Sequence, residues 1–146
     1  MTCGLCPQTP CPTREQSVFL GAAMATSSKP LVLLIEDDAA SAEALSLILR
    51  DWGADVAHTD HAEGLRDALA GRDAVVRYII ADFNLGAGPD GVSLAQNAAA
   101  AAPSSRVLVL SGCFNGSASA AAERAGFEMM HKPARADAIL AWLERP

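Results

Sequence analysis

The sequence is short of basic residues, aromatics and histidine, and each shortage narrows what the chain can do. Lys and Arg number 11 against 17 Asp and Glu, giving a net charge of −6. Phosphate backbones call for faces rich in Lys and Arg, so general nucleic-acid binding is excluded. Aromatics make up only 5% of the chain, while alanine is plentiful, which favours helices and close helix-on-sheet packing. No uncharged apolar stretch reaches the roughly eighteen residues of a membrane span, so membrane insertion is not expected. His58, His61 and His131 share no ligand spacing and read as surface or packing residues.

Cysteine is scarce where it would matter for a scaffold. Cys113 stands alone in the body of the chain, too little for a disulfide framework. Cys3 and Cys6 form a C-x-x-C with Cys11 as a third ligand, but structural zinc sites take four, and Pro7, Pro10 and Pro12 disfavour regular structure. This stretch reads as a tail. Residues 14–28 faintly resemble a signal peptide, yet the positive region is one Arg beside Glu15 and the apolar run 18–25 is at the short limit. An equally plain reading is an upstream extension, with Met24 close to where the folded part begins. Residues 1–29 are therefore expected to form a flexible N-terminal extension, hinged at Ser27-Ser28-Lys29-Pro30, and residues 30–146 a single domain.

From Pro30 onward strands and helices alternate. Leu31-Val32-Leu33-Leu34-Ile35 is a buried strand running into Glu36-Asp37-Asp38. A helix follows with Ala42, Leu45, Ile48, Leu49 and Trp52 on one stripe, and Gly53 placed to cap it. Residues 56–58 make a short second strand. Asp60 is positioned to cap a helix carrying Leu65, Ala68 and Leu69, which Gly71 ends. The third strand, 75–81, ends in Asp82, and a Gly- and Pro-rich loop leads to a helix over 92–102 stopped by Pro103. Residues 106–110 form a fourth strand ending in Ser111-Gly112. Ser117 can cap an Ala-rich helix closed by Gly126, residues 127–131 make a fifth strand, and Lys132-Pro133 turns into a last helix with Ile139, Leu140, Trp142 and Leu143.

Five such units predict an α/β fold, a doubly wound (βα)5 sandwich around a five-stranded parallel sheet of order 2-1-3-4-5, with the functional crevice outside the carboxyl ends of the strands. Strands one, three, four and five end at Glu36-Asp37, Asp82, Ser111 and Lys132, so four sequence-distant polar groups converge on one rim. Carboxylates packed together repel unless a cation joins them, and oxygen-only ligands suit a hard ion such as Mg²⁺ or Mn²⁺. Lysine offers a point charge to phosphate oxygens, serine a hydrogen bond, and an aspartate can itself be a nucleophile. The set reads as a cation-assisted phosphoryl acceptor.

These residues resemble the receiver domain of two-component response regulators, of the flavodoxin-like, single-domain chemotaxis type. The matching pieces are Leu33-Leu34-Ile35-Glu36-Asp37-Asp38, Ile80-Ala81-Asp82, Leu108-Val109-Leu110-Ser111-Gly112 and His131-Lys132-Pro133. They stand in order with separations of 45 from Asp37 to Asp82, 29 on to Ser111 and 21 on to Lys132. The resemblance implies that Asp82 is the phosphoacceptor, that Glu36 and Asp37 hold the metal with it, and that Asn84 adds a backbone carbonyl. Ser111 would bond the phosphoryl group, Gly112 leave room for it, Lys132 pair with its oxygens, and Pro133 hold the lysine loop through a cis bond. Asp38 is expected to cap the first helix. Met129 stands where many receivers carry a switch aromatic, and the loop from Asp82 to Gly91 is longer than the usual form.

The resemblance further implies a cytoplasmic protein, not a conventional enzyme, that catalyses its own phosphorylation and dephosphorylation. Its donor would be a sensor histidine kinase or a histidine phosphotransfer protein, and its output binding to a downstream protein, as a monomer or a homodimer formed on phosphorylation. The alternative is a receiver-fold interaction module that works regardless of phosphorylation. A flavodoxin-like cofactor binder fits less well, because the loop after strand one is acidic where a phosphate-binding loop shows Gly, Ser or Thr.

Overall fold

A computed structural model of the chain describes residues 28–72, 75–86, 90–113 and 116–146. The cysteines at 3, 6 and 11, the apolar run 18–25, most of the expected extension and residues 87–89 of the loop after Asp82 lie outside the described residues. The order of elements is β1 (Leu31–Ile35), α1 (Ala39–Trp52), β2 (Asp55–Thr59), α2 (Gly64–Leu69), β3 (Val76–Asp82), α3 (Gly91–Ala101), β4 (Arg106–Ser111), α4 (Ser117–Ala125), β5 (Glu128–His131) and α5 (Ala136–Glu144). All strand pairs are parallel and the sheet order is β2-β1-β3-β4-β5, the flavodoxin-like doubly wound arrangement expected.

Burial on both faces explains the unbroken apolar runs of the inner strands. Every residue of β1 is buried, and alternation divides them between two cores. Val32 and Leu34 join Tyr78, Ile80, Leu108 and Leu110 under α1 and α5, while Leu31, Leu33 and Ile35 join Ile79 and Ala81 under α2 and α3. Ala95 and Ala98 let α3 lie close to the sheet, and a smaller cluster of Val92, Val109 and Ala122 ties α3 to α4, with Met129 packed against it. Trp142, only 1% exposed, lies inside the first core, so it is a packing residue and not a partner surface.

Asp38 caps α1 as expected, its carboxylate accepting from the Ser41 N–H at 2.8 Å. Gly53 ends α1 with φ +108°, a left-handed conformation that glycine adopts without strain. Two expected caps are corrected. Asp60 does not cap α2: the helix starts four residues later, at Gly64, and the Asp60 carboxylate is instead paired with the neighbouring His61 ring. Ser117 is the first residue of α4, not its cap, because Gly116 takes that position with φ +74°.

Candidate functional site

The sheet register builds the rim. Ile35 pairs with Ala81, so the next residues outward, Glu36 and Asp82, stand side by side at the ends of the two central strands. Each of Glu36, Asp37 and Asp82 offers a carboxylate oxygen within 4.8 Å of the others. Glu36 is 1% exposed and Asp82 6%, whereas Asp37 faces solvent. From the far side, Ser111 closes β4 beside His131 of β5, and the Ser111 carbonyl accepts the Lys132 N–H at 2.8 Å. That bond carries the lysine back over the sheet, where its ammonium lies 3.1 Å from Glu36 Oε2 and 3.2 Å from Asp82 Oδ2. Residues 96 positions apart in the chain thereby form one ion-pair network. The Lys132–Pro133 bond is cis.

Charge decides what this rim favours. With all groups ionised, three carboxylates and one ammonium leave two negative charges, the deficit that one divalent cation removes. Burial pushes the Glu36 carboxyl above its ordinary value, against the lowering by the Asp38 N–H and by Lys132. Burial alone would lower the Lys132 ammonium, but Glu36 and Asp82 together raise it, so it stays charged. The donors are oxygens, which suits a hard ion.

The remaining expected residues surround this network without joining it equally. The Asn84 N–H donates to Asp82 Oδ1 at 3.2 Å, steadying the carboxylate. The Asn84 side chain donates to Cys113 Sγ at 3.1 Å, which links the loops after β3 and β4. Ser111 is fully buried and its Oγ accepts the Cys113 N–H at 3.1 Å. Nothing lies within 4 Å of where a Gly112 Cβ would project, so that side of the rim has room.

Two contributors escaped the sequence reading. Gly91 opens α3 against the main chain of Asp82: a Cβ there would overlap the Asp82 carbonyl oxygen and sit 2.7 Å from the carbonyl carbon. The Gly91 N–H bonds the Phe83 carbonyl at 3.1 Å, and Asp90 caps the helix through the Ser93 N–H at 2.8 Å. The pattern Asp90-Gly91 before an apolar run is a start signal, but its tie to Asp82 is tertiary. His58, read as a surface or packing residue, holds the Glu36 carbonyl through Nε2 at 2.8 Å from the edge strand β2.

Residues 32–144 match the family model for the response regulator receiver domain. Among solved structures, a response regulator from Burkholderia pseudomallei, with a phosphorylated aspartic acid, calcium ion and citrate, is 30% identical, with a TM-score of 0.68 over 80% of this chain and 67% of that chain. A CheY-like receiver domain protein from Methanospirillum hungatei JF-1 is 21% identical, with a TM-score of 0.68 over 80% of this chain and 92% of that one. The Vibrio cholerae chemotaxis protein CheY4 is 20% identical, with a TM-score of 0.67 over 80% and 98%. No curated protein sequence matches significantly.

Proposed function

The chain belongs to the response regulator receiver domain family, and from that premise we propose that residues 30–146 are a phosphoacceptor receiver in which Asp82 takes a phosphoryl group from a phosphohistidine. The observation that carries this reading is the rim itself, with three carboxylates drawn together and Lys132 bridging two of them. The Burkholderia pseudomallei neighbour, with its phosphorylated aspartic acid and calcium ion, supports it by analogy.

In the transfer, an Asp82 carboxylate oxygen attacks phosphorus in line, the P–N bond to the donor imidazole breaks, and the imidazole leaves with the bond's electron pair. Glu36, Asp37 and Asp82, with the Asn84 carbonyl, would hold Mg²⁺ or Mn²⁺, which when bound offsets the charge gathering on the phosphoryl oxygens. Lys132 leaves its carboxylate partners to meet one of those oxygens, and Ser111 turns its hydroxyl to another once the Cys113 N–H is released. Gly112 keeps the approach open and Pro133 fixes the lysine loop. Attack of water on the same phosphorus restores Asp82, so the protein is its own phosphatase. The donor is a sensor histidine kinase or a histidine phosphotransfer protein in the cytoplasm. The output is binding to a downstream protein, as a monomer or a homodimer formed on phosphorylation.

The test is to incubate the full chain with a small phosphodonor and Mg²⁺ and to look for acid-stable, base-labile phosphate. Wild type is expected to label and Asp82→Asn not. Equal labelling of both would sink the assignment; no labelling, with partner binding unchanged by Asp82→Asn, would assign a phosphorylation-independent module instead.

A further inference from the structure

The acidic pair is held from β2, the one strand that carries none of the expected site residues. Glu36 is buried, and each of its four polar groups has a partner. Its side chain is fixed at both oxygens: Oε1 accepts the Asp38 N–H at 3.1 Å, and Oε2 accepts from Lys132 at 3.1 Å. Its main chain is fixed from β2 alone. The Glu36 N–H donates to the Thr59 carbonyl at 3.1 Å, and the Glu36 carbonyl faces His58 Nε2 at 2.8 Å. A carbonyl only accepts, so His58 donates from Nε2 in this contact. The end of β2 is itself braced, because the Thr59 hydroxyl donates to the His61 carbonyl at 2.9 Å. That hydroxyl also lies close under the start of α2, where a Cβ on Gly64 would come within 2.5 Å of it.

The carbonyl that His58 holds belongs to the peptide joining Glu36 to Asp37. A peptide unit is planar, so fixing its carbonyl fixes the direction in which the Asp37 Cα, and with it the side chain, leaves the strand. Asp37 faces solvent, so packing does little to place its carboxylate. Its space is nevertheless defined on one side, since a Cβ on Gly86 would come within 3.3 Å of Asp37 Oδ2. Mg²⁺ demands near-octahedral ligands at short range, and a carboxylate out of place weakens its binding. A histidine on the edge strand thereby acts on the most exposed of the three carboxylates, through main chain rather than through contact.

We propose that His58 is a positioning residue for the cation site, its Nε2–H holding the Glu36–Asp37 peptide in the orientation that aims Asp37 at the ion. This rests on the reading of the rim as a metal-holding receiver site. Mg²⁺ titrated into the full chain, followed by NMR of the backbone amides, gives the dissociation constant that tests it. His58 is exposed, so substituting it empties no part of the core. His58→Ala is expected to weaken Mg²⁺ binding about fivefold, the worth of one hydrogen bond. His58→Gln carries an amide nitrogen as many bonds from the main chain, always a donor, and is expected to restore the affinity to within about twofold of wild type. Val56→Ala loosens the same strand from within the core and should leave the affinity unchanged. Binding by His58→Ala within about twofold of wild type, a glutamine variant as weak as alanine, or an equal loss in Val56→Ala would each overturn the proposal. Wild type that binds no Mg²⁺ at all would bring down the reading of the rim together with it, whereas binding by wild type that His58→Ala leaves intact removes the part given to His58 alone.

Discussion

Lys132 is the residue that ties the rim together, paired with both Glu36 and Asp82. Without an ion it is the counter-charge for Glu36 and Asp82, and removing it leaves a buried Glu36 facing another carboxylate. Because the ammonium is partly solvated, Lys132→Met is expected to cost about 1–3 kcal/mol of stability without metal, less than a fully buried pair. Saturating Mg²⁺ should recover more of that loss in the variant than it adds to wild type, measured by urea unfolding with and without the ion. Gly91 gives a second residue-scale prediction. Gly91→Ala must push α3 away from the Asp82 carbonyl, with a cost of about 2 kcal/mol or more. Urea unfolding midpoints with unchanged slopes would measure it, and an alanine variant as stable as wild type would refute the tight contact. The convergence of Glu36, Asp37, Asp82 and Lys132 was legible in the sequence because each stands just past or at the carboxyl end of a strand in one parallel sheet. Gly91 and His58 were not, because what they touch is set by loop paths and by the register of β2 against β1.

At the scale of elements, the strands were the readable part. Those buried on both faces leave runs such as Leu31-Val32-Leu33-Leu34-Ile35 that admit little else. Helix starts were less so: Asp60 has the side chain of a cap, but the next-door His61 takes it, and a rule based on residue type cannot see that competition. The α5–β5 contact shows how an edge strand is held. Trp142 Nε1 donates to Glu128 at 2.8 Å, Arg106 stacks 4.8 Å from the centre of the same ring, and Arg145 pairs with the Glu128 carboxylate. Trp142→Ala is expected to cost about 3–5 kcal/mol by calorimetry, since the ring fills the core under α1 and α5 and stacks edge-on against Tyr78. Burial alone would raise the Glu128 carboxyl, but Arg145, Trp142 and Arg106 together hold it below the usual carboxylate range. A depressed carboxyl stabilises the fold above its ordinary pKa, and that stability is lost as pH falls through the depressed value. Glu128→Gln should therefore destabilise the fold at neutral pH, by less than about 1 kcal/mol because these pairs are largely solvated, and the difference between the urea unfolding midpoints should vanish in acid.

At the scale of the whole molecule, a cation held at the proposed site would couple to the fold. If the ends of β1 and β3 supply the ligands, an ion that binds only the assembled rim raises stability by about 2.7 kcal/mol at a hundred times its dissociation constant. Mg²⁺ is expected to raise the melting temperature accordingly, a chelator to reverse it, and Asp37→Asn to abolish most of the effect with little change in the metal-free melt, since Asp37 is exposed and outside the core. The sheet order and the convergence on one rim could be read from strand and helix alternation because parallel connections have one hand.

The parallel sheet also fixes where each end of the described chain leaves the fold. Residue 30 departs beside Asp55 at the start of β2, and the Arg145 carbonyl is bonded by Arg106 at the start of β4. Both exits lie at the strands' amino ends, about five residues or 17 Å from the carboxylates. A segment fused at either exit therefore starts about 17 Å from the acidic rim, and one too short to span that distance learns of the rim's state by what the sheet and helices carry down that length. A reporter dye attached by a short linker beside Arg145 would for the same reason leave the rim unobstructed.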